Sequence, residues 1–144
     1  MKKIKTLVLI CSFSMAALVS FGQQKNIPDS VLNNFKTMYP NAQNADWDTE
    51  KDGSYNVEFT DNGKKMEAYY DTKNSWIRTE RDVKRAEVPE AIWNALSKSQ
   101  YADWKVEDME EHRIPENKIV YEIEVEQNGK EVHLNYLPDG TILE

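Results

Sequence analysis

Apolar and polar residues alternate along residues 55–70 and again along residues 121–136, and an Asn-Gly pair interrupts each stretch at its centre. Asn-Gly readily takes the positive φ angles of a two-residue type I′ turn, so each stretch predicts a β-hairpin. The turn fixes a register that places apolar or aromatic side chains opposite each other on one face. The predicted pairs are Phe59 with Met66, Val57 with Ala68 and Tyr55 with Tyr70, then Val125 with Val132, Ile123 with Leu134 and Tyr121 with Tyr136.

An amphipathic helix is predicted ahead of each hairpin. Residues 28–39 open with Pro28 and then place Val31 and Phe35 at helical spacing, and residues 89–98 repeat the same order of residue classes. Proline suits the first turn of a helix, because the N–H that it lacks would have no partner there. One face of each helix is therefore expected to pack against a sheet.

A short Ala-Asp-Trp sequence follows each predicted helix and indicates the start of another strand. Its tryptophans, Trp47 and Trp104, hold equivalent positions, and packing explains such aromatic residues more simply than ligand binding does. We therefore expect both in the core beneath the helices. Beyond the hairpins, residues 75–80 and 141–144 each follow a turn and predict a further strand, whereas the charged residues 81–87 lack periodicity and indicate a connection.

The same order of elements occurs twice, which predicts an α+β fold built as a tandem repeat over residues 27–80 and 88–144. Each unit consists of one helix and a four-stranded antiparallel sheet. Units of this size bury little apolar surface alone, so we expect the sheets to join, with the helices on one face and an open sheet face on the other. Extra residues within 106–118 of the second unit are predicted to form a longer hairpin tip that bends near Pro115 and Asn117.

Two strands of the first unit are predicted to send large side chains to the open face. A tight turn that pairs Tyr70 with Ser75 places Tyr69 opposite Trp76, away from the helices. A register shifted by one residue would instead turn Trp76 toward the core. Interface free energy concentrates in a few large aromatic anchors. The predicted partner-binding residues are therefore Tyr69 and Trp76, with Glu67 opposite Arg78 at the rim and with Asn56 and Glu58 beside them.

The chain is acidic, with 18 Lys and Arg against 25 Asp and Glu and a net charge of −7. This balance argues against nucleic acid as a partner, since phosphates attract basic proteins. On the second hairpin the register sets Glu124 opposite His133 and Glu126 opposite Glu131, with Glu122 further along. Facing carboxylates repel each other by ~0.2–1 kcal/mol. The alternatives for this face are a solvated surface and a site for a small ligand or divalent cation.

Residues 1–22 have the features of a secretory signal peptide. Lysines at positions 2, 3 and 5 precede an apolar run, and small residues lead to a cut before Gln23. The run is shorter than the roughly 20 apolar residues that a membrane-spanning helix needs. We therefore expect residues 23–144 to form an exported domain, periplasmic or secreted, with no membrane insertion of the mature chain.

Residues 23–144 contain few side chains of the kinds that catalysis needs. The only cysteine, Cys11, lies in the signal segment, and His112 and His133 belong to no recognisable motif. Serines occur in no nucleophile-elbow context. The sequence therefore predicts no catalytic residues, no cofactor and no enzyme activity.

The Pro-initiated helix, the Ala-Asp-Trp strand and the Asn-Gly hairpin, each present twice, together resemble the PepSY-like family of exported bacterial proteins, described as similar to the beta-lactamase inhibitor protein. The resemblance implies two α/β units with an open, curved sheet, and protein binding through that sheet. We therefore hypothesise an exported non-enzymatic binding module for a periplasmic or secreted protein, acting as an inhibitor or as an interaction domain. The motifs are Ile27-Pro28 and Val88-Pro89, residues 45–47 and 102–104, and Asn62-Gly63 and Asn128-Gly129.

Overall fold

Two α-helices and eight β-strands are present in the computed structural model, which describes residues 26–143. The segment assigned to a signal peptide, residues 1–22, lies outside the described residues. The helix α1 (Asp29–Met38) is followed by β1 (Gln43–Thr49), β2 (Tyr55–Asp61), β3 (Lys64–Tyr70) and β4 (Trp76–Asp82). After a short 3-10 helix at Arg85–Glu87 come α2 (Glu90–Leu96), β5 (Lys105–Ile114), β6 (Lys118–Gln127), β7 (Lys130–Tyr136) and β8 (Ile142–Leu143).

The strands form one antiparallel sheet in which their spatial order is their order along the chain. Both predicted helices are confirmed, with α1 ending within a residue of the prediction and α2 ending two residues early. The charged residues 81–87, interpreted above as a connection, instead begin inside β4 and include the 3-10 helix. The mixed class and the open antiparallel sheet are therefore confirmed.

The two central hairpins have the register that their turns predict, and every predicted apolar pair is observed. Their turn residues all have positive φ, at 49° for Asn62 and 76° for Gly63, and at 56° for Asn128 and 77° for Gly129. These are the angles that a type I′ turn requires, so the local turn chemistry sets the pairing of each hairpin.

Each helix packs against its own hydrophobic core. Phe35 of α1 meets Phe59 edge-to-face at 4.9 Å between ring centroids, and it meets Trp47 in the same geometry at 5.3 Å. The second core contains Ile92 of α2 and has Trp104 packed against it. Both tryptophans are partly buried and contact the cores beneath the helices, where they were predicted to lie.

Both helices lie on the same side of the sheet. Ala68 belongs to the core under α1, and it pairs with Thr79, which pairs in turn with Arg113. Arg113 pairs with Ile119, which packs against the core under α2. Because directly paired residues share a face, these four residues connect the two cores across one surface. We call this side the helix face and the other side the open face.

Strands β5 and β6 contain 10 residues each, against 7 each in β1 and β2, which follow α1 as β5 and β6 follow α2. The hairpin bends where predicted, with positive φ at Glu116 and Asn117. Most of residues 106–118 are regular strand, however, and not a tip. Within this segment, residues 110–113 pair with β4 and thereby join the two halves of the sheet.

A buried ion pair lies where β4 and β5 pair. Arg81 of β4 is paired with Glu111 of β5, and its Nη2 donates to Glu111 Oε2 at 2.8 Å. Both side chains are less than a tenth exposed. Burial acts to raise the pKa of Glu111, but hydrogen bonds and charge from Arg81, and then from Arg113, outweigh it and hold the pKa below its ordinary value.

Replacing Glu111 by Gln should lower the free energy of unfolding by about 3 kcal/mol, because it removes the buried carboxylate partner of Arg81 and leaves only the more exposed Glu87, whose Oε1 lies 3.0 Å from Arg81 Nη1. Urea denaturation measures the change. Glu116→Gln is the control, since the ion pair between Glu116 and Lys118 is exposed and should contribute little. Equal losses of unfolding free energy in the two variants would show that the pairing of β4 with β5 does not depend on the buried ion pair.

Candidate functional site

Strands β3 and β4 pair in a register that differs from the predicted one. Tyr70 pairs with Trp76 and not with Ser75, and Tyr69 pairs with Arg78 and not with Trp76. The register shifts between Tyr69 and Tyr70. A bulge of one residue reverses the face of every side chain beyond it. The predicted placement of Trp76 on the open face is therefore wrong.

Trp76 lies on the helix face beside the first core. Its Nε1 donates a hydrogen bond of 2.9 Å to Oγ1 of the fully buried Thr79. The residue skipped by the pairing is Ile77, which is 40% exposed. The shifted register left open by the sequence is thus the observed one, and it removes one of the two aromatic residues from the predicted partner-binding set.

The other aromatic residue, Tyr69, is held on the open face by two charged neighbours. Its hydroxyl donates to Glu80 Oε1 at 2.6 Å, and Arg78 Nε donates to Glu80 Oε2 at 2.8 Å. The Arg78 guanidinium lies over the Tyr69 ring, 3.8 Å from its centroid, which is a cation–π contact. Burial, followed by the hydrogen bond to Glu80, raises the pKa of Tyr69. The phenol is therefore a fixed hydrogen-bond donor.

Three more of the predicted residues lie beside this cluster. Glu67 faces Glu80 across the strands, which corrects its predicted pairing with Arg78. It also faces Glu58 on β2 and accepts a hydrogen bond from Asn56 Nδ2. The structure thus brings Asn56, Glu58, Glu67, Tyr69 and Arg78 to one surface. Sequence reasoning missed Glu80, although its two-residue spacing from Arg78 along a strand places both on the same face.

The open face contains an acidic depression of about 460 Å³ where β1 to β5 lie side by side. Six carboxylate residues line it, with Lys65 and Arg81 as the only cations among its lining residues. A cavity of this size is within the range of roughly 300–1,000 Å³ typical of ligand pockets. Its carboxylates are those of Asp46, Glu58, Glu67, Glu80, Asp82 and Glu110.

The second half of the open face carries both histidines, each beside a glutamate. His112 Nε2 lies 2.7 Å from Glu110 Oε2, and His133 Nδ1 lies 2.8 Å from Glu122 Oε1. Glu124 pairs with His133 across the strands as predicted, but the imidazole contacts Glu122. Burial raises the pKa of Glu110. The hydrogen bond to Glu122 raises the pKa of His133.

Two groups of side chains among residues 26–143 have ligand atoms within 4.8 Å of one another, as a bound cation would require. The predicted acidic set around His133 forms no such group among the same residues. In the group that contains a histidine, both oxygens of Glu80 already accept hydrogen bonds from Tyr69 and Arg78. The two groups are Glu80, Glu110 and His112, and Asp82, Asp108 and Glu110.

The fold defines the class of the protein, which has two helices on one face of an open, eight-stranded antiparallel sheet. The chain belongs to the PepSY-like family, whose model is described as "Putative beta-lactamase-inhibitor-like, PepSY-like" and matches residues 53–144. This match confirms the family that the repeated motifs indicate. Neither helix of residues 26–143 has the length and apolar character needed to cross a membrane. Comparison with curated proteins gives no significant match.

Solved structures with this fold come from several Bacteroides species. A BLIP-like protein from Bacteroides fragilis NCTC 9343 has a TM-score of 0.72 and 27% identity, over 83% of this chain and 86% of that one. A DUF2874 family protein from Bacteroides uniformis ATCC 8492 has a TM-score of 0.71 and 25% identity, over 82% and 87% of the two chains. A chain from Bacteroides eggerthii DSM 20697, described among "putative periplasmic proteins", has a TM-score of 0.69 and 28% identity, over 81% and 86%.

The hydrogen bond between Glu122 and His133 should be visible in the titration of the imidazole. Replacing Glu122 by Gln should lower the pKa of His133, because the folded state then no longer favours the imidazolium through that carboxylate. Since the folded pKa is raised, the pair stabilises the fold below the unfolded pKa of histidine and ceases to do so as the pH rises through the folded value.

An NMR titration of the His133 ring proton measures this change. Glu131→Gln is the matched control, because Glu131 acts on His133 through its charge and not through a hydrogen bond. An unchanged pKa in the Glu122 variant would contradict the contact.

Proposed function

We propose that the protein is an exported, non-enzymatic module that binds a basic protein through the open face of its sheet. The observation that carries the proposal is the density of carboxylates on that face. Strand alternation and register assign these carboxylates to Asp46, Asp48, Glu58, Glu67, Glu80, Asp82, Asp108, Glu110, Glu122, Glu124, Glu126 and Glu131.

Many of these carboxylates face one another across neighbouring strands. Glu67 lies between Glu58 and Glu80, and Glu110 pairs with Glu122. Each directly opposed pair of like charges destabilises a sheet by ~0.2–1 kcal/mol. The face also carries basic side chains, but fewer of them, namely Lys65, Arg78, Lys105 and Lys118. A basic partner would relieve this repulsion and would be attracted from a distance by the acidic field.

The acidic depression and Tyr69 supply the two features that a specific interface needs. The depression offers carboxylates to one lysine or arginine side chain of the partner, and Arg recognition by carboxylates is directional. Tyr69 supplies an aromatic surface whose position is fixed by Glu80 and Arg78. Tyrosine is one of the residues that most often dominate interface energies. We therefore place the centre of the interface on β2 to β5.

Export and domain organisation are further parts of the proposal. The signal-like residues 1–22 and the periplasmic description of the Bacteroides eggerthii relative support a periplasmic or secreted location. We propose that the mature chain, residues 23–144, consists of two repeats over 27–80 and 88–144. The BLIP-like description of the Bacteroides fragilis relative supports a protein as the partner, with inhibition as one form that binding can take.

A divalent cation is the second candidate ligand of this face, and the closeness of Glu80, Glu110 and His112 favours it. Binding there would have to displace Arg78 from Glu80. A melting-temperature measurement with zinc or calcium tests it, since a ligand that binds only the folded state raises the melting temperature. No shift at millimolar metal would exclude this candidate.

Site-specific photo-crosslinking would identify the partner. A photoreactive amino acid replaces Glu58 on the open face, and the same amino acid replaces Asp103 as the control, since Asp103 is exposed in the turn before β5. We expect the Glu58 position to capture a protein with a basic surface from cell-envelope extract. Capture of the same proteins from both positions would contradict an interface on the open face.

Affinity for the captured partner should then depend on the charge of the depression. Reversing two of its charges, with Glu58→Lys and Glu67→Lys together, should weaken binding tenfold or more, because like charges across an interface cost about several kcal/mol. Asp103→Lys changes the charge away from the face and should leave affinity within about twofold. Isothermal titration calorimetry measures both, and unchanged affinity in the double variant would refute the proposed surface.

A further inference from the structure

A second cavity lies between the two halves of the molecule, beside the end of α1. Its volume is about 380 Å³, within the range of roughly 300–1,000 Å³ found for small-molecule sites. One wall consists of Met38, Tyr39 and Trp76, from α1, its C-terminal end and the start of β4. The opposite wall comes from the tip of the β5–β6 hairpin, which contributes Arg113, Ile114 and Ile119 among other residues. We call this cavity the cleft.

The cleft combines apolar walls with an arginine that has free terminal N–H groups. Arg113 is half exposed and donates through Nε to Glu111 Oε1 at 3.1 Å. The Glu111 carboxylate is already compensated by two hydrogen bonds from Arg81. Within residues 26–143 the terminal nitrogens of Arg113 have no assigned hydrogen bond. A guanidinium with free terminal N–H groups matches the planar geometry of a carboxylate.

The Tyr39 hydroxyl is already used at the edge of the cleft. It donates to Thr79 Oγ1 at 2.7 Å, and Trp76 Nε1 donates to the same oxygen at 2.9 Å. Thr79 is fully buried and does not line the cleft. Tyr39 and Trp76 therefore contribute ring surface to the cleft, and the free N–H groups come from Arg113.

From these features we infer that the cleft binds a small monocarboxylate with an apolar body. The carboxylate accepts hydrogen bonds from the terminal nitrogens of Arg113, and the apolar body packs against Trp76, Met38 and Ile119. A single negative charge fits better than a phosphate dianion, because Glu111 lies next to Arg113 and Lys118 is already paired with Glu116. The site is separate from the acidic depression, with which it shares no lining residue.

Decanoate is a suitable probe, and the indole N–H signal of Trp76 in a ¹H–¹⁵N spectrum is the readout. The signal is assigned by its absence in Trp76→Phe. We expect a saturable shift of the Trp76 signal on titration with decanoate, while the signals of Trp47, Trp93 and Trp104 change little. Decyltrimethylammonium, which has the same chain and the opposite charge, should leave the Trp76 signal unchanged.

The Arg113→Gln variant should weaken decanoate binding about tenfold, as expected for the loss of a hydrogen bond to a charged group. Arg85→Gln is the matched control, because Arg85 lies outside the cleft, over the ring of Trp93. It should bind decanoate as the unmodified chain does.

Three results would overturn the inference: no shift with decanoate, equal shifts with decyltrimethylammonium, or equal affinity in the two arginine variants. The comparison of the two ligands uses the unmodified chain, so it remains decisive even if Arg113→Gln perturbs the fold. Loss of protein binding at the open face would not affect it, and failure of decanoate binding would leave the open-face proposal intact.

Discussion

The pairing of β4 with β5 is the contact on which the rest of the structure depends. Each half of the chain buries its own core, and the two halves of the sheet are joined where β5 pairs with β4. The ion pair between Arg81 and Glu111 lies at this contact and is shielded from solvent. A buried ion pair contributes little net stability, but removing one partner leaves an unpaired buried charge and is destabilising. Such a pair therefore favours the strand register in which both charges are paired. The open face is continuous because β4 pairs with β5.

The bulge at Ile77 then determines which side chains of β4 lie on each face. Because the register shifts there, Tyr69, Arg78 and Glu80 remain on the open face while Trp76 turns toward the helices. A regular β4 would have placed both aromatic residues on one surface. Instead, one surface presents a tyrosine among carboxylates, and the other presents a tryptophan at a cleft that Arg113 also lines. One extra residue therefore places the two aromatic residues on opposite surfaces.

The features that depend on residues close together in the sequence were predicted correctly. The Asn-Gly turns specify φ angles and therefore the register of two hairpins, and the helix positions follow from apolar spacing after proline. The β3–β4 register was not predictable in this way, because the turn before β4 admits two pairings and only the packing of Trp76 against Thr79 selects one. The strand character of Arg81 was missed for a similar reason. Its buried partner, Glu111, is distant in sequence, and a charged run without periodicity gives no local sign of it.

We propose that the open face recognises a basic protein through its acidic field. The most direct test is the association rate constant with the captured partner, measured by stopped flow from low to high ionic strength. An acidic face that attracts a basic one should give a rate constant that falls steeply, by about tenfold or more, as salt screens the field. A rate constant that does not change with salt would contradict electrostatic recognition by this face.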